Sequence, residues 1–144
     1  MIYETNYTVF EVDAKCIVNT ANCDGFMGKG LALEFALRYP ILEKAYIEQC
    51  KAKEIQVGKV YLYRLKDKDI INFPTKLHYQ YPSKLMWIEE GLKYFKSKYK
   101  ERNITSIAFP LLGGSNGGLD KDVVTNLMRK YLQDLDIKVY ICKS

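Results

Sequence analysis

The chain has 144 residues, 48% of them apolar and 27% charged, with 22 Lys and Arg against 17 Asp and Glu and a formal net charge of +5. That is enough for one domain with a real core and too little for two ordinary ones, and it excludes a disordered or low-complexity polymer and a solenoid of repeats. The opening MIYETNYTVF lacks the basic start and apolar run of a signal peptide, no apolar segment approaches membrane-spanning length, and the four cysteines, Cys16, Cys23, Cys50 and Cys142, show no C-x-x-C spacing. With one histidine to join them, they are expected to be reduced core thiols of a cytoplasmic protein, not metal ligands.

In chain order, KCIVNTAN reads as a buried strand ending near Asn19, followed at once by the glycine-rich CDGFMGKG. Over residues 29–39 the apolar Leu31, Ala32, Phe35, Ala36 and Tyr39 recur at helical spacing, and Pro40 marks either the end of that helix or the start of the next, ILEKAYIEQCKAKE. GKVYLYRL and DIINFPT look like two strands joined by the charged turn KDKD, with Pro74 stopping the second. Ser83 is a candidate N-cap for a helix that carries Leu85, Ile88, Leu92, Phe95 and Tyr99 on one face to about Lys100. The end of that helix, KYFKSKYKER, is a basic cluster that either attracts a polyanion or is a solvated face. ITSIAFPLL is another buried strand and GGSNGGLD a second glycine-rich loop; Val123, Val124, Leu127, Met128, Tyr131 and Leu132 mark a last helix, and IKVYICK a last strand. Strands and helices alternate, so the expected architecture is α/β: a central mixed, mostly parallel sheet covered by helices on both faces.

Three constellations carry chemistry. Gly25, Gly28 and Gly30, just before a helix N-terminus, free the backbone to close on an anion. Gly113, Gly114, Gly117 and Gly118 do the same after the later strand, where a simple turn needs one or two glycines. Asp120 follows, placed to cap the last helix. In open α/β sheets ligands bind at the carboxyl ends of the strands, which puts both loops on one rim and suits a diphosphate. The third constellation is INFPTKLHY, with Lys76 and the sole histidine, His78, after a strand end. A lysine nucleophile must lose its proton, at roughly 4.6 kcal/mol near pH 7 from an ordinary value, so a catalytic Lys76 needs a pocket.

The order DAKCIVNTANCDGFMGKGLA, INFPTK, PLLGGSNGGLD is similar to that of the macrodomains, the ADP-ribose-binding α/β/α fold. Within them it resembles the branch containing DarG-type DNA ADP-ribosyl glycohydrolases and the human terminal ADP-ribose protein glycohydrolase. The likeness spans nearly the whole chain and implies one three-layer α/β/α macrodomain over residues 1–144. It implies that Asn22 contacts the distal ribose, with Asn19 fixing the strand end. Gly25, Met27, Gly28, Lys29 and Gly30 would line the distal ribose and part of the diphosphate, and Gly113, Gly114, Ser115, Asn116, Gly117, Gly118 and Leu119 would wrap it from the other side. Thr75 and His78, flanking Lys76, count among the ADP-ribose contacts. Asn6 stands where macrodomains commonly carry an aspartate that reads the adenine amino group, and Lys121 where an aromatic residue often follows.

The same resemblance makes Lys76 and Asp120 the catalytic pair, the lysine acting at the anomeric carbon of the distal ribose and the aspartate assisting proton movement or sugar opening. The implied function is an ADP-ribosyl hydrolase that removes ADP-ribose from nucleic acid or from Glu/Asp-linked protein, as a monomer, without cofactor, metal or membrane. Two other readings stay open at this point: a reader that binds ADP-ribose without turning it over, and a phosphatase acting on ADP-ribose 1''-phosphate.

Overall fold

Cys16, Ile17 and Val18 are all completely buried, which consecutive strand residues achieve only when both faces of their sheet are covered. They open β2 (Cys16–Asn22), at the centre of a six-stranded sheet in a computed structural model that describes residues 1–113 and 117–143. The other strands are β1 (Ile2–Thr5), β3 (Tyr61–Arg64), β4 (Asp69–Lys76), β5 (Ser106–Pro110) and β6 (Lys138–Cys142), in the order β1-β6-β5-β2-β4-β3. Every neighbouring pair is parallel except β3 with β4, the two strands joined by the short charged turn.

The helices are α1 (Gly30–Arg38), α2 (Pro40–Lys51), α3 (Leu85–Lys98) and α4 (Lys121–Leu132). Strand residues alternate between two cores. Cys16, Val18, Ile71, Phe73, Ile107 and Phe109 pack with Ile88, Leu92 and Phe95 of α3 and Val124, Met128 and Leu132 of α4. Ile17, Ile70 and Ala108 pack with Phe35 of α1 and Leu42 and Tyr46 of α2. The result is the three-layer α/β/α sandwich that the alternating pattern predicts.

Two local expectations change, one alternative is decided and one strand is added. The strand β1 escapes a pattern search because IYET is short and its middle residues are exposed; pairing with the central part of the sheet, through β6, makes it a strand. Pro40 begins α2 at N1, where its missing N–H costs nothing. Pro74 does not stop β4, which continues to Lys76. The partner β3 reaches only as far as the Tyr61↔Asn72 pair, so one flank of β4 is free beyond it, and a register irregularity sits beside Pro74. Ser83 is not the cap of α3: Lys84 holds that position, and Ser83 is buried with its N–H bonded to the Gly117 carbonyl at 2.9 Å.

The basic end of α3 is largely neutralised. Lys96 pairs with Asp134 at 2.9 Å, Lys98 with Glu101 at 3.2 Å and Lys100 with Asp136 at 3.7 Å. Because α3 leaves the carboxyl end of β4 and leads to the amino end of β5, these lysines lie at the rim opposite both glycine loops. No described helix is long and apolar enough to cross a membrane.

Glu4 ties the sheet edge to the helical layer. Its carboxylate accepts from Arg129 of α4 at 2.5 and 2.6 Å and meets the Lys143 ammonium at 2.7 Å. The hydrogen bonds from Arg129 first, then from Lys143, push its carboxyl down to about 2 from 4.5. The native state thus holds a charge that the unfolded chain surrenders earlier on acidification. This stabilisation is complete above about pH 4.5 and is lost as pH falls toward 2. The site is 27% exposed, and solvent screening leaves about 1 kcal/mol. Urea unfolding of Glu4→Gln is expected to show that deficit near neutral pH and none near the acid end of the window.

Candidate active site

Parallel strands align their carboxyl ends, and the ends of β6, β5, β2 and β4 form one rim above the sheet. A cleft of about 790 Å³ runs along it. One end is walled by Thr8, Val9, Cys142 and Lys143, the other by Thr75, Lys76, Phe26 and Tyr79, with Asn22, Gly113 and Gly117 between. Three steps of about 4.8 Å separate β6 from β4, so the cleft is elongated and suits an extended ligand more than a compact one.

The first glycine loop is organised by Asn22, which is 7% exposed. Its Oδ1 accepts the backbone N–H groups of Asp24, Gly25 and Phe26 at 3.2, 3.1 and 3.2 Å, and its Nδ2 donates to the Phe26 carbonyl at 2.8 Å. From α2, the Tyr46 hydroxyl donates to the Asn22 carbonyl at 2.7 Å and to Oδ1 at 2.5 Å. A short side chain with both acceptor and donor thus ties a loop that has no ladder of its own. Gly25 needs its positive φ of 86° here. The helix beyond, α1, starts without a side-chain cap. Its first turns, through Leu31, Ala32 and Glu34, line the cleft, so helix N–H groups that lack an internal partner stand at the middle of the site.

The described ends of the second loop meet. Leu119 donates its N–H to the Gly113 carbonyl at 3.0 Å. A Cβ on Gly117 would fall 2.4 Å from the same oxygen and 2.5 Å from Ser83 Oγ, which is why that position is glycine. Asp120 closes the loop by capping α4, its carboxylate accepting the N–H groups of Asp122 and Val123 at 2.9 and 3.1 Å.

Lys76 reaches the cleft through a slip in the sheet. Ala21 pairs with Pro74 but Asn22 pairs with Lys76, so β4 takes one extra residue, Thr75, between them. Such a bulge re-aims the side chains around it. The Lys76 ammonium donates to the Tyr79 carbonyl at 3.1 Å. Burial first, and then the neighbouring Lys29 charge, hold its pKa below the ordinary lysine value. The thiol of Cys142, at the far end, is pushed up to about 11 by burial and is no competing nucleophile.

Of the residues singled out in the sequence, Asn22, Lys29, Thr75, Lys76, Gly113 and Gly117 line the cleft. Gly25, Gly28, Gly30, Gly118 and Leu119 shape the two loops without lining it, and Met27 is buried in the core beside α1 and α2. Asn19 is completely buried, its Nδ2 donating to Asn72 Oδ1 at 3.0 Å to join β2 to β4. Asn6 is exposed and outside the cleft wall, which Thr8 and Val9 supply instead. His78 faces Asp24, Nε2 to Oδ2 at 3.2 Å. Asp120 is an exposed cap, and no ion pair joins it to Lys76 among the described residues. Gly114, Ser115 and Asn116 lie outside the described residues. The sequence reading missed Thr8, Val9, Cys142 and Lys143; applying the carboxyl-end rule to the last strand as well would have found the last two.

A cleft across the carboxyl ends of a mostly parallel sheet, flanked by two glycine loops and an uncapped helix start, is built to receive an elongated anion. The Macro domain family model matches residues 18–128, and the chain belongs to that family. It is 43% identical over 139 residues to a DNA ADP-ribosyl glycohydrolase of Mycobacterium tuberculosis, covering 92% of this chain and 40% of the relative. The chain therefore spans about two fifths of the length of that curated relative. It superposes on the macrodomain of Mycobacterium tuberculosis DarG with a TM-score of 0.93 at 41% identity, covering 100% of this chain and 99% of the other. Thermosipho africanus DarTG in complex with ADP-ribose matches with a TM-score of 0.93 at 33% identity, over 98% of this chain and 41% of that one.

Proposed function

We propose that this chain is an ADP-ribosyl hydrolase that releases ADP-ribose from modified DNA, with Lys76 acting at the anomeric carbon of the distal ribose. The observation that carries the reading is the Lys76 amine: it stands at one end of a nucleotide-sized cleft, beside Asn22 in the sheet, with its basicity lowered. The diphosphate would lie over the start of α1 and against the second glycine loop, the adenosine toward Thr8, Val9 and Cys142. The neutral amine would bond to the anomeric carbon as the glycosidic bond breaks, and a proton from the resulting ammonium would pass to the departing acceptor. Water would then add at the same carbon, releasing ADP-ribose and the free lysine. No metal or cofactor enters the scheme. Asp120 is left as the cap of α4, fixing the loop and not carrying the proton.

DNA is chosen as acceptor because relatives at 43% and 36% identity are named DNA ADP-ribosyl glycohydrolases. The test offers the protein an ADP-ribosylated single-stranded oligonucleotide, a glutamate-linked ADP-ribosyl protein and ADP-ribose 1''-phosphate. Label is expected to leave the oligonucleotide fastest. Binding of free ADP-ribose with no turnover of any of the three would make the chain a reader, and phosphate release alone would make it a phosphatase.

A further inference from the structure

The segment that follows β4, residues 77–81, leaves the sheet directly after Lys76 and pairs with no strand. The first glycine loop grips it instead. Asp24 Oδ2 accepts the Tyr79 N–H at 3.3 Å and lies 3.2 Å from His78 Nε2, and the Phe26 ring stacks on the Tyr79 ring with centroids 4.0 Å apart and planes at 22°. His78 Nδ1 accepts the Gln80 N–H at 3.2 Å, so in a neutral ring the proton sits on Nε2 and is donated to Asp24.

The same residue supplies the acceptor of Lys76, since the Tyr79 carbonyl takes its ammonium at 3.1 Å. These contacts close a circuit. Asn22 Oδ1 holds the Asp24 N–H, Asp24 holds the Tyr79 N–H, the Tyr79 carbonyl holds Lys76, and Lys76 stands beside Asn22 in the register of β2 and β4. A lysine stem is flexible, and without an anchor its amine samples many positions. A carbonyl serves here better than a carboxylate. It accepts one N–H from the ammonium and from the neutral amine alike and leaves the lone pair of the latter free, whereas a carboxylate favours the ammonium. No carboxylate pairs with Lys76 among the described residues: Asp24 is engaged by Tyr79 and His78, and Glu34 on the cleft wall by Arg38 at 2.9 Å.

We propose that Asp24 is a positioning residue for the hydrolysis: by holding Tyr79 it aims the Lys76 amine at the anomeric carbon. The proposal rests on the hydrolase reading for the reaction, while the hold on the amine is independent of any substrate. Asp24 acts through its side chain alone. The bonds by which Asn22 organises the first loop go to backbone N–H groups, that of Asp24 included, and survive removal of the carboxylate. Catalysis falls steeply with small displacements of a reacting group, so a loosened amine slows the bond-making step without weakening the grip on the nucleotide.

The test compares the wild-type chain with Asp24→Ala and Asp24→Asn. Asparagine keeps an oxygen for the Tyr79 N–H and loses the charge; alanine loses both. Single-turnover release of ADP-ribose is expected to fall roughly tenfold in Asp24→Ala, with the affinity for free ADP-ribose unchanged, and to recover most of its rate in Asp24→Asn. In a Lys76→Ala background, Asp24→Ala should slow the residual reaction no further. The substrate-free readout is the order parameter of the Lys76 Cε–H bonds from NMR relaxation, expected to drop to that of exposed lysines in Asp24→Ala and to hold in Asp24→Asn. An undiminished rate in Asp24→Ala, a further loss in the Lys76→Ala background, or Asp24→Asn as slow as Asp24→Ala would overturn the proposal. So would a Lys76 equally ordered with and without the Asp24 carboxylate, or a matching loss of ADP-ribose affinity, which would make Asp24 part of the binding loop. If the wild-type chain releases no ADP-ribose from any substrate, the hydrolase reading falls, and the order parameters alone decide whether Asp24 holds the amine.

Discussion

Lys76→Ala is expected to slow single-turnover release of ADP-ribose by roughly 10³-fold while leaving the affinity for free ADP-ribose little changed. The amine approaches only the anomeric carbon in the proposed pose, whereas the diphosphate is held by the α1 start and the second loop. Arginine at the same position keeps the charge and cannot act as nucleophile, so Lys76→Arg should be as slow as the alanine variant if the neutral amine is the acting form. The pH profile carries the sign. Burial first and Lys29 second lower the pKa of Lys76, so the neutral fraction at any given pH is larger than for an ordinary lysine. The turnover rate should therefore rise with pH and level off before the ordinary lysine range. Lys29→Gln removes the nearby cation, lets the pKa of Lys76 climb back, and should move that rising limb to higher pH. A rate that falls with pH through the same region would make the ammonium the active species.

Asn22→Ala should cost about 3 kcal/mol of folding stability and weaken ADP-ribose binding at the same time. The substitution takes the acceptor from three backbone N–H groups and from the Tyr46 hydroxyl, and the donor from the Phe26 carbonyl. Each partner left buried without a replacement loses its desolvation cost in full. Asn22→Asp retains the acceptor but turns a carboxylate toward the Phe26 carbonyl, so it should fall between wild type and alanine. Urea midpoints together with ADP-ribose titration separate the two effects. A variant that keeps its urea midpoint and loses only binding would show Asn22 to be a ligand contact and not the organiser of the loop.

The pattern of apolar runs and helical spacings was enough for the layers, because β2, β4 and β5 are buried on both faces and each helix has one apolar stripe. It failed at β1, where four residues with an exposed middle carry no signal until β6 is beside them. The two glycine loops were legible from composition alone. What they do was less so: Asn22 reads as a ligand contact in a motif, yet most of its hydrogen-bonding capacity is spent on its own loop and on Tyr46, a residue 24 positions away. Lys76 was legible as a lysine after a strand, but its aim depends on the extra residue Thr75 in β4, which no spacing rule reports. Asp120 caps the start of α4 and His78 faces Asp24, and of these two contacts only the cap was legible from position along the chain.

The pairing of β1 with β6 joins residues such as Ile2 and Val139, near opposite ends of the described chain. Contacts so distant in sequence form late, and sheets that depend on them fold slowly. During synthesis the wall at Cys142 and Lys143 is absent until the final strand has left the ribosome, although Asn22, Lys76 and both glycine loops have emerged before it. A nascent chain would thus carry its chemistry before it could grip a nucleotide, and ADP-ribose should speed none of the early folding steps while slowing the unfolding of the finished domain.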